Sequence, residues 1–214
     1  MINNLQSEDV ITSNLKRPFK RIFDLICSLL GLLSISLVFL IVAISIKLTS
    51  RGPVFFKQKR IGRDGKEFYI YKFRTMIVDA EKKGKQITIG NDSRITSVGR
   101  FLRKYKIDEL PQLINVVKGD MSLVGPRPEV PRYVALYNKK QKRVLSVRPG
   151  ITDYASLYYK DENEVLGKVD NPEKYYIDII MPHKLSLNIE YIEDNNIFKD
   201  FKIILKTVKE VIFE

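Results

Sequence analysis

Between Leu25 and Ile46 the chain runs for about 22 residues without a charge, and no other stretch restricts its possible folds so sharply. As an α-helix this run would extend about 33 Å, which matches the hydrocarbon core of a bilayer. Soluble core helices rarely stay uncharged so long, so length alone predicts a membrane helix. The flanks add a condition. Lys16, Arg17, Lys20 and Arg21 precede the run, and Lys47, Arg51, Lys57, Lys59 and Arg60 follow it. Basic residues favour the cytoplasmic side, and a simple span would gather them mainly at one end. Here both ends look cytoplasmic. A helix that enters one leaflet, bends and returns satisfies both flanks better than a straight span, provided its hydrogen-bond ladder weakens near the middle. Gly31, Ser34 and Ser36 are the candidates for that weak point.

The rest of the chain is organised around this element. Residues 1–15 are polar, lack periodicity and carry no signal-peptide architecture, and read as a mobile leader. Residues 16–50 form the membrane-associated helix, and 51–214 are long enough for one domain with a real core but not for two. A net charge of +12 predicts an acidic partner: nucleic acid, anionic lipid or a nucleotide-linked substrate. The single cysteine, Cys27, lies in the apolar run, so no intramolecular disulfide framework exists and no Cys/His cluster is available for zinc. His183 is the only histidine.

Past Gly52-Pro53, the pattern Val54-Phe55-Phe56, a turn over Gly62 to Gly65 and Phe68-Tyr69-Ile70-Tyr71 predict a β-hairpin. Its bases, Lys57, Lys59, Arg60, Arg63, Lys72 and Arg74, face either lipid headgroups or ligand phosphates, or are simply solvated. Interleaved rings and bases also suit single-stranded nucleic acid, but no RNA-binding signature accompanies them. Ile77 to Lys83 reads as helical, Gly84 to Ser97 as a polar loop able to move over a site, and Arg100 to Ile107 as a basic helix. Val130 to Ser146 reads as mostly helical, Val147 to Gly150 as a turn, and Pro172 to Glu193 as helical. Phe198, Phe201, Leu205, Val208 and Ile212 share one face of a last helix, a pattern that covers a core or lies on a membrane; core packing is the expectation.

Asp108 to Glu129, DELPQLINVVKGDMSLVGPRPE, is chemically the densest stretch. Asp108 suits an N-cap, Pro111 belongs only in a first helical turn, and Leu110, Leu113, Ile114 and Val117 form an apolar face. A short helix is therefore predicted from Asp108 to a stop at Gly119, with two carboxylates at its positive end, where backbone N–H groups favour phosphate. Carboxylates and phosphate repel unless a cation intervenes. Mg²⁺ on oxygen ligands would remove the conflict, and Arg127, held between two prolines, would grip phosphate bidentately. Arg100, Arg103, Lys104 and Lys106 surround the acids with positive charge, which keeps a carboxylate ionised and competent as a nucleophile. The plain alternative is that Asp at an N-cap followed by Glu is ordinary helix grammar.

Together, KRIFDL from Lys20, RIGRDGKEFYIYKFRTM, the Asp108 to Glu129 string and VRPGIT carry more than any one of them. From Lys20 to about Val208 the chain closely resembles the bacterial sugar transferases, monotopic polyprenyl-phosphate phosphoglycosyl transferases that initiate lipid-linked glycan assembly. The resemblance implies an α/β, mostly helical catalytic domain over residues 51–214, on the cytoplasmic face of a bacterial inner membrane, with interfacial amphipathic helices. It implies transfer of a sugar 1-phosphate from a UDP-sugar to undecaprenyl phosphate, giving a diphosphate-linked lipid and UMP. Asp108 would be the nucleophile that carries the phosphosugar. Glu109 would bind Mg²⁺, and Arg127 would hold phosphate with Arg103, Lys72, Arg74 and Arg148. Membrane lipids are the remaining expected partner, a second copy of the chain is left open, and nucleic acid is not expected. Two departures stand out. Ser34-Ile35 replaces the Ser-Pro pair usual in the family, and Asp153-Tyr154-Ala155 replaces its usual Gly-Trp-Ala. Asp153, Tyr154, Tyr158 and Tyr159 either touch the donor or pack a small core. Two other readings remain open: a non-enzymatic adaptor whose basic surface binds anionic lipid, and direct transfer with Asp108 as a base.

Overall fold

The apolar run is broken at Ile35. The computed structural model describes the backbone of residues 2–80 and 92–213 and the side chains of 18–80 and 92–211. In it α1 (Ile2–Ser34) ends at Ile35 and α2 (Ser36–Thr49) begins one residue later, with a 60° bend between them. No single helix among the described residues is long and apolar enough to cross a membrane; the bent pair meets that condition only jointly. Ile35 leaves helical geometry at φ −98° and ψ 9°. Ser36 Oγ donates to the Leu33 carbonyl at 2.8 Å and Ser34 Oγ to that of Leu30 at 2.9 Å. Serine back-bonding of this kind bends helices, so the break falls within the predicted weak region although no proline is present. The leader expected at residues 1–15 has helical backbone continuous with α1 from Ile2, and its side chains lie outside the described residues.

Each leg of the bend packs on a different part of the body. The hairpin β1 (Phe55–Ile61) and β2 (Glu67–Phe73) forms as predicted, with Phe55 opposite Phe73 and Ile61 opposite Glu67. Val42 and Ile46 of α2 join Phe73 and Leu102 in one buried cluster, where Phe73 stacks on Phe55 at 5.5 Å and meets Phe39 edge-on at 4.9 Å between ring centroids. Residues 77–80, expected to open a helix, instead form a turn with Asp79 at φ 61°. The continuation to Lys83, and the loop predicted over a site as far as residue 91, lie outside the described residues. Helix α3 (Ser97–Lys104) is capped by Thr96, whose Oγ1 accepts from Gly99 N at 2.9 Å. Gly99 is required by a close approach: a Cβ there would lie 2.0 Å from the Thr75 carbonyl oxygen.

Helix α4 spans Gln112–Lys118 and stops at Gly119, which adopts φ 93° as its predicted role demands. It packs along α1, where Arg21 donates to the carbonyls of Val116 at 2.6 Å and Val117 at 3.1 Å. Asp108 is not its N-cap. Lys106 turns the chain back at φ 50°, Ile107–Glu109 form a tight 3₁₀ turn, and Pro111 occupies the cap position. With only Tyr105 and Lys106 between α3 and this turn, the reversal uses the tighter i→i+3 bonds, and the helix starts later than the sequence pattern suggests.

A second sheet is absent from the sequence reading. Strand β3 (Ser122–Val124) pairs in parallel with β4 (Gly150–Thr152), Ser122 beside Gly150 and Val124 beside Thr152; runs of three residues carry no readable alternation. The stretch expected to be mostly helical up to Ser146 holds only α5 (Pro131–Val134) and a 3₁₀ segment at Gln141–Ser146. Helices α6 (Tyr154–Tyr158) and α7 (Glu162–Gly167) lead to α8 (Pro172–Tyr175), which runs through a π turn at Tyr176–Ile180 into α9 (Met181–Glu193). The largest core cluster joins these to α5 through Tyr133, Tyr137, Val144, Leu166, Tyr176 and Leu185. The last helix, α10 (Ile197–Phe213), does not lay its apolar stripe on the core. Phe198 is 88% exposed, and Phe201, Leu205 and Val208 also face outward. Its inward face is held by Ile203 and by Asp200, which accepts from Tyr191 at 2.5 Å and from Lys20 of α1 at 2.5 Å. Two polar anchors thus orient the helix against its hydrophobic stripe.

Candidate active site

The 3₁₀ turn carrying Asp108 and Glu109 joins α3, which packs on α2, to α4, which packs on α1. The acid pair is therefore suspended from both legs of the apolar hairpin. Ile107, the first residue of the turn, packs into the Val42, Ile46 and Phe73 cluster, and this sets Asp108 in a buried position, 9% exposed. On the α4 side Asn115 fixes β2 beside the turn: its Oδ1 accepts from Tyr71 N at 2.9 Å and its Nδ2 donates to the Tyr69 carbonyl at 2.8 Å. That contact places Lys72, the next residue along β2, against Glu109.

Glu109 is the centre of charge. Its Oε1 accepts from Lys72 Nζ at 2.7 Å and from Arg127 Nη2 at 2.6 Å, while Oε2 lies 3.4 Å from Arg127 Nη1. Burial by itself raises the Glu109 carboxyl, but the Arg127 and Lys72 charges and hydrogen bonds overturn this and hold it well below the usual carboxylate range. Asp108 behaves oppositely. Burial pushes it up to about 6; Glu109 pushes the same way, and Lys72, Arg103 and Arg127 pull it back. Two adjacent carboxyls are thus driven apart, one locked as an anion and the other poised between forms near neutrality, which is how acid, base or nucleophile roles are separated in a site. Arg103, on α3, donates from Nε to Thr75 Oγ1 at 2.9 Å and contributes its charge to Asp108.

The structure brings Lys72, Arg103 and Arg127 to the acid pair and leaves Arg74 and Arg148 elsewhere. Arg74 is buried and donates to the carbonyls of Arg51 at 2.6 Å and Ser50 at 2.8 Å, tying the foot of α2 to the end of β2. Arg148 donates from Nε to the Gly119 carbonyl at 2.9 Å, at the far end of α4. His183 hydrogen-bonds Tyr159 at 2.7 Å and packs against Tyr158, away from the acids. Asp153 does not face a donor: it is 1% exposed and accepts from the backbone N–H of Arg127 at 2.9 Å. Asn115 escapes a sequence reading of the site, and Asp153, which that reading offers as a contact of the donor or of a small core, is found against the Arg127 backbone. A mid-helix Asn gives no signal of its own, whereas Asp153 three residues before Ser156 is an N-cap pattern that marks the start of α6 without revealing its second contact.

Among the described residues no group of three or more His, Cys, Asp or Glu side chains could hold a metal ion. Mg²⁺ commonly takes one or two carboxylates and completes its shell with water and substrate phosphate. The acid pair fits that manner of binding, with Glu109 Oε2 the less engaged oxygen, and does not form an all-protein cage.

A buried carboxyl titrating near neutrality, beside a second carboxylate fixed by Arg and Lys, is the equipment of a group-transfer enzyme for an anionic substrate. The chain belongs to the bacterial sugar transferase family, whose model matches residues 15–214. An uncharacterized sugar transferase of Bacillus subtilis (strain 168) is 39% identical over 193 residues, covering 90% of this chain and 87% of the relative. UDP-glucose:undecaprenyl-phosphate glucose-1-phosphate transferase of Escherichia coli (strain K12) is 38% identical over 202 residues, 94% of this chain and 41% of the relative. Undecaprenyl-phosphate glucose phosphotransferase of Komagataeibacter xylinus is 39% identical over 199 residues, 91% and 36% respectively. The chain thus spans less than half the length of the last two. Family membership decides for an enzyme, a phosphoglycosyl transferase, over a lipid-binding adaptor.

Proposed function

We propose that the chain transfers a sugar 1-phosphate from a UDP-sugar to undecaprenyl phosphate, releasing UMP and starting a lipid-linked polysaccharide, on the cytoplasmic face of the bacterial inner membrane. The observation that carries this reading is the split acid pair hung between the two legs of an exposed apolar hairpin. The transfer requires a lipid-borne phosphate and a soluble nucleotide sugar to meet at one such position. Relatives bearing undecaprenyl phosphate and a UDP-sugar in their names support the choice of substrates.

In the proposed reaction Asp108 Oδ attacks the β-phosphorus of the donor. The bond from that phosphorus to the bridging oxygen breaks, and its electron pair leaves on UMP. A phosphate oxygen of undecaprenyl phosphate then attacks the same phosphorus, breaks the aspartyl bond and returns the Asp108 carboxylate. Holding the phosphosugar covalently lets the two unlike substrates come one at a time. Arg127 and Lys72 give their N–H donors to the diphosphate, where negative charge grows during transfer. Glu109 keeps both cations aligned before substrate arrives, and its Oε2 with diphosphate oxygens would hold Mg²⁺, which supplies neutralisation of the diphosphate charge. Direct transfer with Asp108 as general base is the second reading, favoured by the same titration near 6.

A screen of UDP-sugars with undecaprenyl phosphate and Mg²⁺, scored by UMP release, tests the activity; no UMP from any donor would overturn it. Enzyme given a donor alone separates the two routes. Covalent transfer gives up to one equivalent of UMP and a protein heavier by the phosphosugar, while UMP release that strictly requires acceptor, with no adduct on rapid quenching, selects direct transfer.

A further inference from the structure

We infer that Asp153 is a positioning residue for the transfer reaction: its buried carboxylate fixes the backbone of Arg127 and through it the direction of the guanidinium. The inference rests on Arg127 serving the proposed reaction, and it concerns a residue outside the acid–base cluster. In Pro126-Arg127-Pro128 the two prolines have no N–H, so Arg127 offers the segment's only backbone donor. That donor goes to Asp153 Oδ2 at 2.9 Å. The carbonyls on either side are tied as well, Pro126 O by Gly150 N at 3.0 Å and Pro128 O by Arg60 at 3.0 Å. Asp153 therefore takes the one backbone hydrogen bond that Arg127 itself can donate.

Three further features make Asp153 a junction rather than an ordinary cap. Its Oδ1 accepts from Ser156 N and so starts α6. Its Oδ2 also accepts from Asn188 Nδ2 of α9 at 3.3 Å. The Asn188 amide makes this bond even though its own Oδ1, buried, finds no partner in the protein. Both carboxylate oxygens are thus used, by donors from three separate elements, and the residue is 1% exposed. Arg127 in turn reaches Glu109 by two N–H groups, at 2.6 and 3.4 Å. A bidentate fork is sensitive to its origin: a shift near 1 Å in a positioning group can lower a rate about a hundredfold.

The test uses Asp153→Ser, which keeps an N-cap oxygen for α6 but is too short to reach the Arg127 N–H. It is measured alone and combined with Arg127→Ala in the full chain. Expected are a folded variant with a cooperative melt, a fall of about tenfold to a hundredfold in kcat/KM for the donor, and little further loss when Asp153→Ser is added to Arg127→Ala. Asp153→Asn, isosteric but able to accept on one side only, should be intermediate. Equal losses in both backgrounds, or unchanged turnover in a folded Asp153→Ser protein, would overturn the inference. If Asp153→Ser does not fold, Asn188→Ala in the same cycle decides, since it loosens Asp153 from outside. If the unaltered chain turns over no UDP-sugar, the proposed function fails separately, and the same cycle read on inorganic pyrophosphate binding decides whether Asp153 acts through Arg127.

Discussion

Asp108 gives up stability for its chemistry, and the exchange has a sign that can be measured. Its folded pKa of about 6 lies above the ordinary aspartate value of 3.8, so the folded protein holds that proton more tightly than the unfolded chain. The stabilisation is fully present below about pH 4 and is lost as pH rises through about 6. Asp108→Asn, neutral at every pH, should therefore be more stable than the parent by about 1–3 kcal/mol at pH 7.5, with no gain at pH 4; thermal melts at the two pH values check this. Its turnover should fall by several orders of magnitude. In the parent, kcat/KM should decline below about pH 6 as Asp108 is protonated, since only the carboxylate attacks. Glu109 leads to a different expectation. With both cations already on Glu109 and no third acidic, His or Cys ligand beside the pair among the described residues, Mg²⁺ should bind the free chain weakly and tightly only with donor present. Calorimetric titration of Mg²⁺ with and without UDP-sugar checks it, and tight binding to the free chain would refute the shared site.

At the scale of elements, the legible features were those with long periodicity or strong punctuation. The hairpin was announced by its aromatic runs around a glycine turn, the end of α4 by Gly119, and the weak point of the apolar run by its serines. The parallel pair β3 and β4 was not legible, because three-residue strands have no period to read. The start of α4 was misjudged because a left-handed Lys106 decides it, and nothing about a lysine announces positive φ. Of the site, the acid pair, Lys72, Arg103 and Arg127 could be gathered from their chemistry. Asn115 could not, and for Asp153, read from the sequence only as a contact of the donor or of a small core, the actual partner could not, because these contacts span 44 and 26 residues of chain. The bend carries its own prediction. Single cysteines at Ser13 and Arg51, in a Cys27→Ser background, should both resist a membrane-impermeant thiol reagent in intact cells and both react after lysis. Arg51 has an exposed side chain, whereas the neighbouring Ser50 Oγ accepts from Arg74 at 2.9 Å. Labelling of the Ser13 position alone would establish a straight span.

Across the whole molecule, outward-facing apolar side chains line the bent pair α1 and α2 and also the separate helix α10, which the Lys20 to Asp200 bridge joins to α1. Phe198→Glu with Phe201→Glu should weaken vesicle binding and lower turnover with lipid-embedded acceptor, while melting temperature changes little because both rings are already exposed; unchanged partitioning would assign α10 another role. The bend at Ile35 has a consequence for the life of the protein. With no proline at the apex, the 60° bend rests on the serine back-bonds around Ile35 and on ties at the feet: Arg21 and Asp24, which accepts from Ser122 Oγ at 2.7 Å, on one leg and Arg74 on the other. A nascent or unfolded copy lacks those ties, and its two legs are free to stack into a single rod of bilayer length. In the proposed membrane placement, the side of the bilayer on which the N-terminus sits would then report whether the body has folded.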